Sequence, residues 1–457
     1  MTLSPKYGFH GCLFFLCLWL IFSGKVMAQE PSNLLWTIDG NIRYRFEQWN
    51  NMNARFYGSE PAMGNPNESI LLQRIIAGAT VRMKDMITFS AHLQDSRAFG
   101  WSLRNSIEPD AFKKHADNMP DPYYIMNPQE EFFEIYDASI RVDGIFQLFS
   151  LTAGRQKIAF EDYRVYGPGS RGNTGRWTWD AFRLDIEKPR WAGSIWYGGT
   201  KIHDPRMTYL PFTHTEYTGG GIHFHIKPFE VLRTDLFFAH KHQGSAAYIR
   251  DKQIQRNWAG FRLYQPENSS LKYETLFTYE FGEESNSRRK GSGLFVLLGY
   301  QMKTLTWKPC LTLRYTYASG DHPESGQNEE FDPVYGAGDR YYGWMNLLKW
   351  SNLDDREIML EIYPHEQMRI ELKYNRFRIP DPERALIHGN LWLPQGEKLL
   401  GDEIDLFAKY DHGDNWQFVT ALGYFFMKKG RTLESENPGN AFLISLQVLY
   451  RFKLTLS

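Results

Sequence analysis

From Trp36 almost to its end, the chain repeats one pattern: segments with an apolar residue at every second position, joined by connections that are alternately long and very short. In "WTIDGNIRYRFE", Trp36, Ile38, Ile42, Tyr44 and Phe46 fall on one face, and Thr37, Asp39, Asn41, Arg43, Arg45 and Glu47 on the other. "LKYETLFTYEF" sets Leu271, Tyr273, Phe277, Tyr279 and Phe281 against Lys272, Glu274, Thr278 and Glu280. "MRIELKYN" and the last segment, from Ala441 to Lys453, behave in the same way. Period two marks a β-strand whose two faces meet different surroundings. About eighteen such segments can be counted, including 270–281 and 292–303. Their connections alternate between long polar loops (50–69, 98–130, 160–175, 200–217, 319–352, 379–401) and tight turns such as "MKDM", "EKPR", "KPFE" and "YPHE".

Long connections at one end and short ones at the other are the plan of a transmembrane antiparallel β-barrel of the outer-membrane type. The fold class is therefore all-β, with about 18 strands, and an even number returns both termini to the short-turn side. Lipid offers the backbone no hydrogen bonds, so strands cross it only when closed into a cylinder, apolar side chains outward and polar ones toward the lumen. A soluble sandwich shows the same alternation, but this many strands would need several domains, and no Pro/Ser linker divides the chain. The composition agrees: 16% of residues are aromatic, yet the mean hydropathy is only −0.49. Trp36, Trp49, Trp307, Trp416, Tyr300 and Tyr450, near strand ends, are expected in the interfacial girdles.

Residues 1–28 read as a cleavable export signal: Lys6 before an apolar core from Cys12 to Phe22, then the small-residue site Val26-Met27-Ala28. The expected mature unit is a single barrel domain, 29–457. It is slightly acidic and keeps one cysteine, Cys310, so no internal disulfide can form. There is no basic stripe for nucleic acid. After the signal no apolar run of about 20 residues occurs, which excludes a helical membrane bundle. Cofactors expected: none.

In order along the chain, "ILLQRIIAGATVRM", "HLQDSRAFG", "LTAGRQKI", "SRGNTGRWTWDAFRL", "YTYASGDH", "FDPVYGAGDRYYGWMNLLKWSNL", "GDEIDLFAKY" and "LGYFF" resemble the alginate export porin family, most closely members from Bacteroidetes-like bacteria. That resemblance implies a large monomeric barrel in the outer membrane of a Gram-negative bacterium, with lipid around it and periplasmic export or uptake components as partners. It implies an arginine-lined lumen that passes an anionic glycan such as a polyuronate. Carried onto this chain, the pore-lining groups are Arg155 of "GRQ", Arg176 of "NTGR", and Asp180 and Arg183 of "WDAFRL".

Strand parity adds Arg43, Arg45 and Arg314, but it also turns Asp39, Glu47, Asp137, Asp185, Asp235, Glu274, Glu280, Glu361 and Glu371 inward, giving a mixed lumen. Arg155 shares the parity of Leu151 and Ala153, so aiming it inward requires an irregularity at Gly154. Trp177 and Trp179 share the parity of Arg183, which calls for a bulge near Ala181 or a position above the membrane. Six histidines from His203 to His242 lack the acid or cysteine pattern of a metal site, and no metal is assigned. Ser170, Asp162 and Asp180 stand near one loop without a histidine in it, so no hydrolase triad is assigned. The alternatives to a polyuronate channel are a general or small-anion nutrient porin and, further off, a barrel enzyme. Loop 98–130, with its "NMPDPYY", is the expected lid.

Overall fold

A computed structural model describes residues 34–456 apart from 53–66, 85, 104–112, 115–122, 125–128, 161–162, 168–171, 176, 205–206, 244–252, 286, 337–340, 384–392, 429 and 431–438. The export signal expected at 1–28, Arg176, Asp162, Ser170 and most of loop 98–130 lie outside the described residues.

The chain winds as an antiparallel meander. Its strands begin with β1 (Leu34–Asn50), β2 (Glu68–Met83) and β3 (Ile87–Phe99), then a two-residue ribbon, β4 (Lys113–Lys114) with β5 (Tyr123–Tyr124). β6 (Glu131–Ile145), β7 (Phe149–Lys157), β8 (Thr178–Lys188), β9 (Trp191–Thr200), β10 (Thr218–Phe229) and β11 (Leu232–Gln243) follow. Next come β12 (Ile254–Tyr264), β13 (Leu271–Glu284), β14 (Ser287–Gln301), β15 (Cys310–Ala318) and β16 (Leu353–His365). β17 (Met368–Arg378), β18 (Leu399–His412), β19 (Trp416–Met427) and β20 (Ala441–Leu456) complete the set. Outside the ribbon, each strand pairs with its sequence neighbours, and β20 pairs with β1 from Trp36↔Leu456 to Asn50↔Phe442, so eighteen strands close into a barrel. Closure leaves no unpaired edge.

Alternation sorts the side chains as lipid and water demand. Leu298, Leu311, Leu313, Ile358 and Leu372 stand on the outer wall, while Arg43, Arg45, Glu280, Asp355 and Glu403 face in and are buried. Strand lengths differ from the sequence reading at one hairpin. Pairing of β13 with β14 continues to Glu284↔Ser287, where the apolar pattern has already stopped. Residues 282–291 carry five charged side chains and no large apolar one on either face, so hydropathy lost a signal that the backbone keeps.

Trp49 also departs from expectation. It is buried inside, its Nε1 donating to Glu47 Oε2 at 2.9 Å, and so is no girdle residue. Trp36, Tyr300, Trp307 and Trp416 are exposed on the wall.

Candidate functional site in the barrel lumen

Two loops, 158–177 and 319–352, turn into the barrel and meet. Tyr166 and Tyr335 form a parallel bridge, with Gly167 N donating to Tyr335 O at 3.1 Å and Tyr335 N to Val165 O at 3.3 Å. Their rings and those of the wall make an aromatic waist. Tyr335 packs edge-on against Trp179 (4.6 Å between centroids) and Trp177 (5.5 Å), and Tyr166 against Trp196 (5.0 Å) and Phe237 (5.9 Å). The polar tips are satisfied by wall carbonyls: Tyr335 Oη donates to His240 O at 2.6 Å, and Tyr166 Oη to Phe238 O at 2.8 Å. Burial raises both phenol pKa values well above the ordinary range.

This resolves the puzzle of Trp177 and Trp179. The β7–β8 register runs without a shift from Phe149↔Ile186 to Lys157↔Thr178, so there is no bulge near Ala181. Both tryptophans simply point inward, where the loops give them an apolar partner.

Lumenal carboxylates hold these loops by their backbone N–H groups. Met345 N donates to Glu403 Oε1 (2.9 Å), Trp344 N to Asp405 Oδ2 (3.0 Å) and Asp332 N to Glu280 Oε2 (2.9 Å). Gly343, at φ 80°, lets the loop lie against Glu403, where a Cβ would collide with the carboxylate. Trp344 then stacks flat on Phe407, 4.3 Å away. Asp332 also meets Arg256 at 3.1 Å. Burial alone would raise its pKa, but Arg256, Lys349, Lys241 and Arg289 together hold it below the usual carboxylate range. Of the inward acids that give the lumen its mixed appearance, Glu280 takes part in this docking, whereas Glu47, Asp185, Glu274 and Glu371 pair with arginines of the wall.

The expected site residues divide. Arg43 and Arg45 face in: Arg43 Nη2 donates to Gly172 O and Asn173 Oδ1, both at 2.9 Å, and Arg45 meets Glu47 at 3.0 Å. Arg314 pairs with Glu357 at 2.8 Å. Arg183 pairs with Asp185 at 2.8 Å in a chamber of about 390 Å³ on the short-turn side of the waist. Arg141, Ser194, His223, His225 and Asp235 line the same chamber, with His225 Nδ1 2.7 Å from Asp235 Oδ1.

Arg155 and Asp180 are placed otherwise. Arg155 is 0% and Asp180 1% exposed, so neither is presented to lumen water. Gly154 does carry an irregular φ of 116°, but pairing continues through it on both sides. Asp180 keeps the outward parity of Phe182, and loop 201–217 covers it there, Phe212 stacking on Phe182 at 5.4 Å. Arg155 grips Asp180 through two bonds (2.7 and 2.9 Å) and Glu134 through a third (2.8 Å), while Phe212 N and Tyr209 N close over the two acids.

Several inward arginines escaped the parity reading, among them Arg141, Arg256, Arg262 and Arg74. Arg74 of β2 stands directly across from Arg43, and among the described residues no carboxylate pairs with it. Its motif, "ILLQRIIAGATVRM", has apolar residues on both faces, which masks the parity.

The model of the family described as alginate export matches residues 35–441. The chain belongs to the alginate export family. No curated protein matches it. Solved structures similar to this family member include OccAB4 of Acinetobacter baumannii (TM-score 0.57, 11% identity, covering 93% of this chain and 99% of that one) and the outer membrane protein OprD of Pseudomonas aeruginosa (0.56, 11%, 93% and 94%). OccK11 of Pseudomonas aeruginosa is similar too (0.55, 9%, 92% and 96%). At such identity they speak for the fold. Family and fold together make this alginate export protein an outer-membrane channel of a Gram-negative cell.

Proposed function

We propose that the channel passes an anionic polysaccharide or oligosaccharide of the polyuronate type by passive diffusion, loops facing out of the cell, with lumenal arginines drawing the carboxylates in. It acts as a conduit and not as an enzyme. The observation that carries this is the β1–β2 wall, where Arg43, Arg45 and Arg74 stand together facing in, Arg43 held by Gly172 and Asn173, Arg45 by Glu47, and Arg74 paired with no carboxylate among the described residues. A planar guanidinium matches a uronate carboxylate, and low-dielectric walls focus its field. Diffusion serves export and uptake alike.

A small-anion porin is the second reading, favoured by the closed waist and by a chamber of only about 390 Å³ beneath it. Reversal potential in a salt gradient, measured on planar bilayers with and without oligouronates, separates the two. The wild type should prefer anions weakly and be blocked by oligouronates; Arg74→Ser should shift preference toward cations and weaken block, the effect shrinking near 1 M salt, where screening acts over about 3 Å. A cation-selective wild type that oligouronates never block would rule the polyuronate out, and block by monomeric but not oligomeric uronates would favour the small-anion porin.

A further inference from the structure

Near the loop rim, the outer wall of β16–β19 changes character abruptly. Ile358, Leu360, Leu372, Ile404 and Leu406 form an apolar surface, each 40–49% exposed. Two to four residues further toward the loops, on the same outward parity, come Arg356, Arg376 and Arg378, with Lys428 just beyond the end of β19. The side chains of Arg356, Arg376 and Lys428 are 57%, 46% and 49% exposed. Two outward carboxylates face these four cations: Asp354 lies 3.3 Å from Arg356, and Asp402 lies 2.9 Å from Arg376 and 3.5 Å from Lys428. Tyr374 Oη also donates to Asp402, at 2.9 Å. Arg378 reaches outward Tyr315 electrostatically and has no ion pair among the described residues.

The cationic rim does not run evenly round the barrel, although Arg97 of β3 and Lys290 of β14 also stand outward toward the loops. The matching outward positions on β9–β11 are Tyr197, Gly199, Gly220, Phe238 and His240, without a lysine or arginine. Exposed ion pairs contribute little, so Asp354 and Asp402 leave the guanidinium groups open to a stronger anion. A phosphate offers arginine a bidentate partner of higher charge. Free phosphate would use the cationic layer alone, whereas a phosphorylated lipid would use that layer and the apolar surface beneath it together.

We propose that Arg356, Arg376, Arg378 and Lys428 bind the phosphate headgroup of a membrane lipid in the leaflet at the loop rim, its acyl chains lying on Ile358, Leu372 and Ile404. A cleft of about 390 Å³ opens nearby between Tyr279, Lys290, Tyr317 and His322, but Glu329 and Asp381 also line it and would repel phosphate, so the site lies on β16–β19.

Native mass spectrometry of the full protein in detergent tests this with bisphosphorylated lipid A, the same lipid stripped of phosphate, and inorganic phosphate. The wild type should retain the bisphosphorylated lipid, and the triple variant Arg356→Gln, Arg376→Gln, Lys428→Gln should bind it roughly fivefold more weakly per cation removed. Lys188→Gln with Lys227→Gln, at the opposite rim, should bind as wild type. Heat-modifiable electrophoretic mobility checks that each barrel is folded; should the triple variant fail it, Lys428→Gln alone, beyond the strand ladder, carries the comparison. Equal binding of the stripped lipid, an unaffected variant, or displacement by stoichiometric inorganic phosphate would overturn the proposal. So would a variant that loses self-association instead of lipid, which would make the patch an interface between copies of this chain.

Discussion

An arginine with no exposed surface does different work from one in a wet lumen, and Arg155 shows the difference. Its guanidinium is shared between Asp180 and Glu134, and loop 201–217 seals the cluster with two backbone N–H groups. Removing one partner from a buried ion cluster leaves uncompensated charge and costs about 3–5 kcal/mol. Arg155→Ser should therefore lower the temperature of the electrophoretic unfolding shift and leave reversal potential nearly unchanged; a changed selectivity with unchanged stability would return Arg155 to the pore. His203, in the same loop, sits 3.0 Å from Glu131 and close to Lys201. Burial, first, pushes its pKa below the ordinary value, although Glu131 pulls the other way. Folding thus favours the neutral ring, so the contribution of His203 is complete above about pH 6.5, its ordinary value, and falls as the pH drops below that. Proteolysis within 201–217 should accelerate between pH 7.5 and 5.5 in the wild type and stay flat in His203→Gln.

Strands and loops differed in how far the chain announced them. The strands were legible because lipid and water each impose one face of a period-two pattern, which residues 36–47 display. Arg43, Arg45, Arg183 and Arg314 followed from that parity. Which loops enter the lumen was not legible, because docking joins groups far apart in sequence: Met345 to Glu403, Asp332 to Glu280, Tyr335 to Tyr166. The expected lid, 98–130, lies mostly outside the described residues, which place 158–177 and 319–352 in the waist. A hint did exist in the surplus of inward acids, since a carboxylate facing a lumen can await a backbone N–H as well as a cation. Glu403→Gln with Asp405→Asn should therefore loosen the 319–352 loop and raise single-channel conductance. Lowering the pH from 8 to 5 should not undock the loop at Asp332, whose pKa is held below the usual range, so stability from that contact persists until strong acid protonates it.

At the scale of the whole molecule, closure and transport conflict. A barrel of this strand number would enclose an aqueous channel if nothing folded into it, but the Tyr166–Tyr335 bridge and the rings around it narrow it along the β8–β11 wall. A polymer cannot pass between side chains packed at centroid distances near 5 Å, so passage along this side of the lumen requires the two loops to part while the wall stays rigid. That separation is plausible energetically because loop opening breaks a few hydrogen bonds and ring contacts and leaves the strand ladder untouched. Tyr166 and Tyr335 are bridge partners, close enough in backbone for a covalent tie. In Tyr166→Cys with Tyr335→Cys, oxidation should hold the waist shut: conductance should stay at its lowest level, and oligouronates should neither block nor cross. Reduction should restore openings and with them block. Cys310 is buried, and the single variants control for its oxidation. If the oxidised double variant conducts and is blocked like the reduced one, solute takes another route past these loops, and the waist is a brace and not the gate.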